Sequence, residues 1–516
     1  MADIHRYEKG DVICRLETYL GKRFGEIDNK GLFDHVQQFN LQKGIAGHVV
    51  EQCIFGYSPD SKQEADLVIV EKGEETKTEL KTTGMVVKKD PKKHYEAKEP
   101  MSITAVGVYD IGEQDFYNSH FWEKLENMLI VYYYYSAEQK KVTPYDYKEF
   151  PFMGYEFHAF SPEDEKTLRK DWEIVRDFCS DVVSRHPGAH TNEWKQAVKQ
   201  DYIDNHGVLR HQLSYIDLAP KFPPRFRLKK STVSMLISKH FGYELEQLPG
   251  RYSSISDVDR KCHELTLLYR GKTVGELADY FGIPRSTVAG NEAKGISELI
   301  TVKMFGGEAN KLNKVELFER FGLTAKTIVL SPKGGRTEDM KLYHMNFDEL
   351  TQTEAIDDDG KVRSFEFGDS EMYAYFTSND FLCIMFEEQE VPKGVKNKLV
   401  DNKFIGFKRL IFDDDFINTT VQNLWLDTRD KVMNEKLFDV VNYDKNGDPV
   451  INKSGDISSA PNFMKSKDND VFIRGSGTDS SLKYKKECVN GIKMLPQYVW
   501  IKGKAVVDEL ANIPFL

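Results

Sequence analysis

Long apolar runs and paired cysteines are both missing from the 516-residue sequence. No segment approaches the 18 or more apolar residues of a membrane span, and the charged segment Met1–Gly10 lacks the apolar core of a secretory signal. The cysteines are scattered without a Cys-x-x-Cys pair, so we expect reduced thiols in a cytoplasmic protein rather than a zinc or redox site. They are Cys14, Cys53, Cys179, Cys262, Cys383 and Cys488.

An overall basic excess is also absent, since the formal net charge is −11. This argues against a protein that coats nucleic acid nonspecifically, although a local basic groove is compatible with an acidic whole. The length predicts two or more domains, each with its own core.

The segment Glu64–Gly84 predicts a β-hairpin, with an apolar run at Leu67–Val70, turn-forming residues at 71–75 and an alternating strand at 76–80. Alternation along that strand places Glu79 and Lys81 on one face, and a partner strand would bring Asp66 beside them. Two carboxylates at a strand end suit Mg²⁺, and a neighbouring ammonium can orient water or offset phosphate charge. The alternative is a solvated hairpin, because charged residues make up 30% of the chain.

The second half of the sequence repeats landmarks of the first half in the same order, which predicts an internal duplication. The first copy carries Gly21–Glu26, Lys43–Ile45, Glu79–Thr82, Leu168–Trp172 and Pro224–Lys230. The second copy carries Gly271–Glu276, Lys294–Ile296, Thr324–Thr327, Val421–Trp425 and Pro496–Lys502.

This duplication predicts a catalytic domain at 1–243, a Pro-Gly and serine-containing linker at 244–257, and a second domain at 258–516. Val302 stands where the first copy has Glu51, Thr324 stands where it has Glu79, and no acid replaces Asp66. We therefore expect the second domain to be catalytically silent.

Several basic or helical segments indicate contacts with DNA. Leu277–Val288 resembles a helix-turn-helix, but the first copy has no such pattern after Gly25, so we favour a short helical subdomain. Basic residues on the strand and helix from Arg225 to His240 could grip phosphates or could be a solvated strand end. Lys124, just ahead of an apolar strand predicted at Met128–Tyr135, could also reach a phosphate or lie on a solvated helix face. A basic run follows the hairpin, at Lys88, Lys89, Lys92 and Lys93.

Together these residues resemble the MutH family of DNA endonucleases. The resemblance rests on Lys43-Gly-x-x-Gly47-x-x-x-Glu51, Asp66, Glu79-Leu80-Lys81, Leu168-Arg-Lys-Asp-Trp172 and Phe226-x-Leu228-Lys229-Lys230. It implies an α/β protein with two tandem restriction-endonuclease-like domains, each a mixed central sheet flanked by helices. The family includes a GATC-nicking mismatch-repair enzyme and two-domain restriction enzymes that cut GATC.

The resemblance also implies roles for individual residues. Asp66 and Glu79 would ligate Mg²⁺ with the Leu80 carbonyl as a further ligand, Lys81 would assist the water or phosphate, and Glu51 would support the cluster. DNA contacts are expected from Lys43, Gly44, Lys124, Arg225, Arg227, Lys229 and Lys230, and from Lys294, Lys326 and Lys502 in the second domain.

The sequence departs from the family pattern at three points. Twelve residues separate Asp66 from Glu79, more than in MutH, and Ala65 replaces a proline common in related nucleases, so Glu64 is an alternative ligand. Arg227 stands where the family has a tyrosine implicated in sensing adenine methylation.

The expected function is that of a type II restriction endonuclease that cuts double-stranded DNA, dimerises on DNA or nicks sequentially, and works alongside a cognate methyltransferase. The alternatives are a repair-type nicking endonuclease and a non-catalytic DNA-binding regulator. Plasmid digestion with Mg²⁺ discriminates among all three.

Overall fold

The computed structural model describes residues 5–35, 44–57, 65–87, 94–136, 142–219, 222–285, 295–336, 338–356, 362–392, 395 and 397–516. The chain divides into two compact units. Unit 1 comprises Met1–Lys261, Val302–Thr324 and Ile356–Val362, and unit 2 comprises Cys262–Thr301, Ala325–Ala355 and Arg363–Leu516.

The elements up to residue 240 belong to unit 1. Its strands are β1 (Arg6–Glu8), β2 (Leu67–Glu71), β3 (Glu74–Val87), β4 (Tyr95–Ala97), β5 (Met101–Ala105), β6 (Met128–Tyr134), β7 (Phe152–His158), β8 (Ile216–Leu218) and β9 (Arg225–Leu228). Its helices are α1 (Lys9–Tyr19), α2 (Phe24–Ile27), α3 (Leu32–His35), α4 (Ile45–Val49), which continues as a π-helical segment (Val50–Phe55), α5 (His120–Glu123), α6 (Pro162–Ser184), α7 (Asn192–Asn205) and α8 (Lys230–His240).

A mixed sheet of order β1-β2-β3-β6-β7 forms the frame of unit 1, with β4 added beside β3. Strand β3 is antiparallel to β2 and parallel to β6, and β6 is antiparallel to β7. The β2–β3 turn consists of Lys72 and Gly73, both at positive φ, as a tight two-residue hairpin requires. The predicted hairpin is confirmed, and β3 extends beyond the prediction to Val87.

The two faces of this sheet differ in character. Leu80, Leu129 and Val131 are buried on one face, in a core shared with helices α1 and α4. Because side chains alternate, Glu79 and Lys81 point to the opposite face. The apolar strand predicted from Met128 is also confirmed, since β6 is almost entirely buried.

The remaining elements follow from residue 255. The helices are α9 (Ile255–Tyr269), α10 (Val274–Tyr280), α11 (Ile296–Met304), α12 (Glu316–Arg320), α13 (Glu371–Ser378), α14 (Asp414–Phe416), a π-helical segment (Ile417–Val421), α15 (Gln422–Met433) and α16 (Gly503–Ala511). The strands are β10 (Leu323–Leu330), β11 (Met340–His344), β12 (Glu354–Ile356), β13 (Val362–Ser364), β14 (Asp380–Glu387), β15 (Lys403–Leu410), β16 (Asp439–Val441), β17 (Ser459–Pro461), β18 (Val471–Gly475), β19 (Glu487–Val489), β20 (Ile492–Met494) and β21 (Gln497–Ile501).

Backbone pairing in the second half has counterparts in the first. The strand orders β10-β14-β15 and β11-β21-β18 of the second half correspond to the orders β3-β6-β7 and β5-β9-β8 of unit 1. The Gly21 N–H donates to the Phe152 carbonyl at 2.8 Å, and the Gly271 N–H donates to the Phe404 carbonyl at the same distance. In each case the glycine follows a helix and has positive φ.

The unit boundaries differ from the division expected from sequence. Residues predicted as a linker are hydrogen-bonded within unit 1: the Thr167 hydroxyl donates to the Ser253 carbonyl at 2.6 Å, and the Ile255 N–H donates to the Ser214 hydroxyl at 3.1 Å. The segment Val302–Thr324, expected in the second domain, also packs in unit 1, where Phe321 lies 5.9 Å from Tyr215 between ring centroids.

Two further sequence interpretations concern helices. The helix-turn-helix-like segment begins with α10, but its second part, from Ser286 to Val288, lies outside the described residues. In the described part of the chain, no helix has the length and hydrophobicity needed to cross a bilayer.

Candidate active site

The β2–β3 hairpin brings Asp66 and Glu79 together on neighbouring strands. Asp66 lies just before β2, and its Oδ2 accepts the Leu80 N–H at 2.9 Å. Glu79 lies where β3 begins to pair with β6, and its N–H donates to the Asn127 carbonyl at 3.0 Å. Both acids are therefore held by the backbone of the sheet.

Two lysines neutralise the Glu79 carboxylate. Lys81, two residues along the same strand, places Nζ 2.8 Å from Oε1 of Glu79. Lys124, which caps α5, places Nζ 3.0 Å from Oε1 and 2.9 Å from Oε2. The Glu79 side chain is 3% exposed and those of Lys81 and Lys124 are 17% and 13% exposed, so these charges interact with little solvent screening.

The ionised form of Asp66 is disfavoured in this arrangement. Burial raises the pKa of Asp66 to about 6, and the nearby charge of Glu79 raises it as well, against the opposing effects of the Leu80 N–H, Lys81 and Lys124. A carboxyl group with a pKa raised in this way is stabilised in its ionised form by an added cation. Such perturbed acids are typical of functional sites.

Glu51 reaches the same region from the π-helical segment after α4. A Cβ at Gly47, one turn earlier, would lie 3.6 Å from the Thr82 hydroxyl on β3 and 3.9 Å from Oε1 of Glu51, so α4 lies close against that strand. Within the described residues, the buried Oε2 of Glu51 has no hydrogen-bond partner. The imidazole of His48 lies beside it, with Nδ1 3.4 Å from Oε2.

The donor set at this site fits a hard divalent cation in chemistry, because carboxylate and carbonyl oxygens are the ligands that Mg²⁺ prefers. The raised pKa of Asp66 and the unpartnered oxygen of Glu51 are the observations that favour such an ion. Among the described side chains, however, no three His, Cys, Asp or Glu residues are arranged as a metal-binding group.

The two arginines of β9 predicted to contact DNA differ in how firmly their side chains are held by other residues of the protein. Arg225 donates to the Ser102 hydroxyl at 3.1 Å and lies at the surface. Arg227 makes two hydrogen bonds with the carboxylate of Asp217, at 2.8 and 3.0 Å, which fixes its guanidinium.

The two lysines at the start of α8 face different surroundings. Lys229 is only 8% exposed, and its Nζ donates to the Leu213 carbonyl at 2.7 Å. The Lys230 side chain is 42% exposed and lies 3.7 Å from Glu96. Gly44 begins α4 at a φ of 81°, a conformation that favours glycine, and Lys43 lies outside the described residues.

Lys326 is interior within unit 2 and Lys502 is more exposed. Burial lowers the pKa of Lys326 to about 8, and its Nζ donates to the Lys341 carbonyl at 2.8 Å. The Lys502 ammonium lies 3.6 Å from Asp470. Lys294 is outside the described residues, as are Glu64 and the lysines of the run at 88–93.

Sequence reasoning missed Tyr57, which follows Gly56 at the end of the π-helical segment. The charges of Glu51, Asp66 and Glu79 all act on its phenol. No spacing rule links a tyrosine at this position to the acids of the hairpin, so its place in the site emerges only from the fold.

Comparison with known proteins agrees with this geometry. Residues 55–171 match the family of the DNA mismatch repair enzyme MutH, a range that contains Asp66, Glu79, Lys81 and Lys124. This region is MutH-like. The chain is also 23% identical over 404 residues to the type II restriction enzyme Sau3AI of Staphylococcus aureus, covering 77% of this chain and 75% of that protein. The resemblance inferred from sequence is thus confirmed, and the MutH-like region holds Asp66, Glu79 and Lys81 of the hairpin together with Lys124.

Proposed function

We propose that this protein is a type II restriction endonuclease that hydrolyses phosphodiester bonds of double-stranded DNA at GATC. The observation that carries the proposal is the cluster of Asp66, Glu79, Lys81 and Lys124 around the buried Glu79 carboxylate, inside the MutH-like region. The similarity to Sau3AI favours a restriction enzyme over a repair enzyme.

Mg²⁺ would be held by Asp66, Glu79 and the Leu80 carbonyl, and it would polarise the phosphate and lower the pKa of a bound water. The chain's own residues do the positioning. Backbone hydrogen bonds fix the two acids on adjacent strands, and Lys81 presents an ammonium that can offset charge developing on the phosphate. Glu51 supplies a further acceptor beside them.

Recognition is assigned to basic groups near the hairpin and on β9. Arg225 and Lys230 are the more exposed of these and suit phosphate contacts. Arg227 is held by Asp217, and a guanidinium with a fixed orientation suits reading of a base edge. Gly44, which caps the start of α4, and Lys43, which precedes it in the sequence, would approach the backbone of DNA closely.

The second half of the chain is proposed to be a degenerate copy that binds a second DNA site without cutting. The matched order of its sheets and the repeated glycine hydrogen bonds support a duplication. Lys294, Lys326 and Lys502 remain the proposed contacts. One cutting centre in each chain implies that two chains meet on DNA or that the strands are nicked in turn. A cognate methyltransferase would protect host DNA.

Plasmid digestion tests the proposal. Protein with Mg²⁺ should convert supercoiled plasmid to linear fragments whose sequenced ends share GATC, and Glu79→Ala should abolish cleavage while retaining DNA binding. Glu75→Ala is the matched control, because Glu75 lies exposed on the same hairpin and pairs with Arg6 at 2.9 Å. Persistent nicking of one strand would instead indicate a repair-type endonuclease. Site-specific binding without cleavage would indicate a regulator.

A further inference from the structure

Three side chains in the described part of the chain, one on helix α4, one on its π-helical extension and one just after it, each carry a buried polar atom without the hydrogen bond that such atoms normally make. Among the described residues, Nδ1 of His48, Oε2 of Glu51 and Oη of Tyr57 have no hydrogen-bond partner. His48 and Glu51 approach each other only to 3.4 Å. Unpaired polar atoms gathered at one place in a site indicate that a polar ligand completes it.

The ring of Tyr57 is fixed relative to the acids. It stacks on the His5 ring with centroids 4.0 Å apart and an interplanar angle of 15°. Nδ1 of His5 lies 3.0 Å from the Asp66 carbonyl oxygen. The position of the phenol is therefore tied through His5 to the residue that begins the catalytic hairpin.

The hydroxyl of Tyr57 can act only as a neutral group. Burial raises its pKa, and the charges of Glu51, Asp66 and Glu79 raise it further, so the proton stays on the phenol. A neutral phenol donates one hydrogen bond, whereas the free oxygen of Glu51 can only accept one. A water molecule satisfies both, because it accepts from the phenol and donates to the carboxylate.

We propose that Tyr57 is a positioning residue of the nuclease centre, whose hydroxyl donates to the attacking water while Glu51 accepts a hydrogen bond from that water. This inference rests on the proposed nuclease function. Two hydrogen bonds of opposite sense fix the orientation of the water, so that transfer of its proton toward Glu51 leaves a lone pair directed at phosphorus.

The second copy of the repeat supports a role outside folding. Counted from the matched Lys43 and Lys294, Leu299 and Val302 stand where the first copy has His48 and Glu51. Counted from the matched Phe55-Gly56 and Phe305-Gly306, Gly307 stands where it has Tyr57. Helix α11 is α-helical from Ile296 to Met304, whereas the first copy turns into a π-helix at Glu51. Extended π-helical turns are rare in proteins, and those that occur are frequently found at functional sites. The polar trio therefore accompanies the acids and is dispensable to the frame.

Tyr57→Phe tests the proposal, since it removes only the hydroxyl. With DNA and Mg²⁺ saturating, the single-turnover cleavage rate should fall about tenfold or more, with DNA affinity within about twofold of wild type. Tyr202→Phe is the control, because Oη of Tyr202 is also buried without a partner among the described residues but belongs to α7. Its rate should stay within about twofold of wild type.

A double-mutant cycle separates positioning from a structural effect. If Tyr57 and Glu51 hold the same water, adding Tyr57→Phe to Glu51→Gln should slow cleavage by less than about twofold beyond Glu51→Gln alone. Fully additive losses, a Tyr57→Phe rate within twofold of wild type, or loss of the cooperative thermal transition in that variant alone would each overturn the inference. A wild-type protein unable to cut plasmid would overturn the proposed function, and this inference with it.

Discussion

The ammonium of Lys124 lies 3.0 and 2.9 Å from the two carboxylate oxygens of Glu79. A cation bound by Glu79 would interact with the same negative charge. A lysine so placed competes with a metal ion for that carboxylate.

Lys124→Met should therefore lower the Mg²⁺ concentration that half-saturates cleavage by about threefold to tenfold, because one competing positive charge is removed from a poorly screened site. The maximal rate should fall, since the proposed phosphate contact is lost. Cleavage measured across a Mg²⁺ titration gives both quantities. Lys77→Met is the control, because its ammonium pairs with Glu123 and its side chain is 65% exposed. An unchanged or increased Mg²⁺ requirement for Lys124→Met would contradict the competition.

The half-buried Lys326 should make stability depend on pH in the alkaline range. Burial lowers its pKa from 10.5 to about 8, so between these values the unfolded chain binds more protons than the folded one. Stability should therefore rise with pH from about 8 to 10.5. Below pH 8 the destabilisation caused by burying the charged form of Lys326 is complete. Lys326→Met should stabilise unit 2 at pH 7 by about 2 kcal/mol and flatten this rise.

Chemical denaturation followed by tryptophan fluorescence between pH 7 and 10 measures the effect. Lys436→Met serves as the comparison, because its ammonium forms a solvent-exposed pair with Asp430 and should change little. A Lys326→Met protein less stable than wild type at pH 7 would show that the hydrogen bond to the Lys341 carbonyl outweighs the cost of burial.

Arg225 should contribute to DNA affinity through charge. Arg225→Ala should weaken binding to all duplexes and reduce the slope of log affinity against log salt concentration by about one. Titrations in EDTA between 50 and 200 mM salt measure that slope. Arg6→Ala removes an equally charged, exposed side chain from β1 and should leave the slope unchanged. Equal slopes for both variants would remove β9 from the DNA interface.

A fragment ending at residue 243 should be incompletely folded. Unit 1 includes Val302–Thr324, in which Phe321 is 2% exposed beside Tyr215, and the Glu316 N–H donates to the Glu246 carbonyl at 2.8 Å. Without this segment, apolar surface of unit 1 is uncovered. Circular dichroism melts should show a lower transition temperature for fragment 1–243 than for fragment 1–324. A cooperative melt and full nicking activity in the shorter fragment would refute this.

Local pattern made much of the hairpin predictable. Alternation placed Glu79 and Lys81 on one face, and an apolar run marked β6. The hairpin pattern indicated that Asp66 would lie beside them, and the family resemblance added its role as a metal ligand. Each of these features is set by residues close together in the sequence or by an arrangement shared with the MutH family.

Features set by tertiary packing were not predictable. The apolar residues of 302–324 look the same in sequence whichever unit they cover, so the boundaries were placed differently. Basic residues of the strand-helix segment looked alike, yet Lys229 points to a buried carbonyl while Lys230 remains exposed. The π-helical turn at Glu51 and the place of Tyr57 depend on how α4 meets the sheet.

The path of the chain through the two units also orders events during synthesis. Unit 1 receives its segment Val302–Thr324 only after Cys262–Thr301 of unit 2 has been made. A ribosome must therefore translate well into the second half of the message before the nuclease unit can be completed. A chain terminated after the first half would lack part of this unit. Truncated products would therefore have an incomplete unit 1, whereas the full-length chain can complete it.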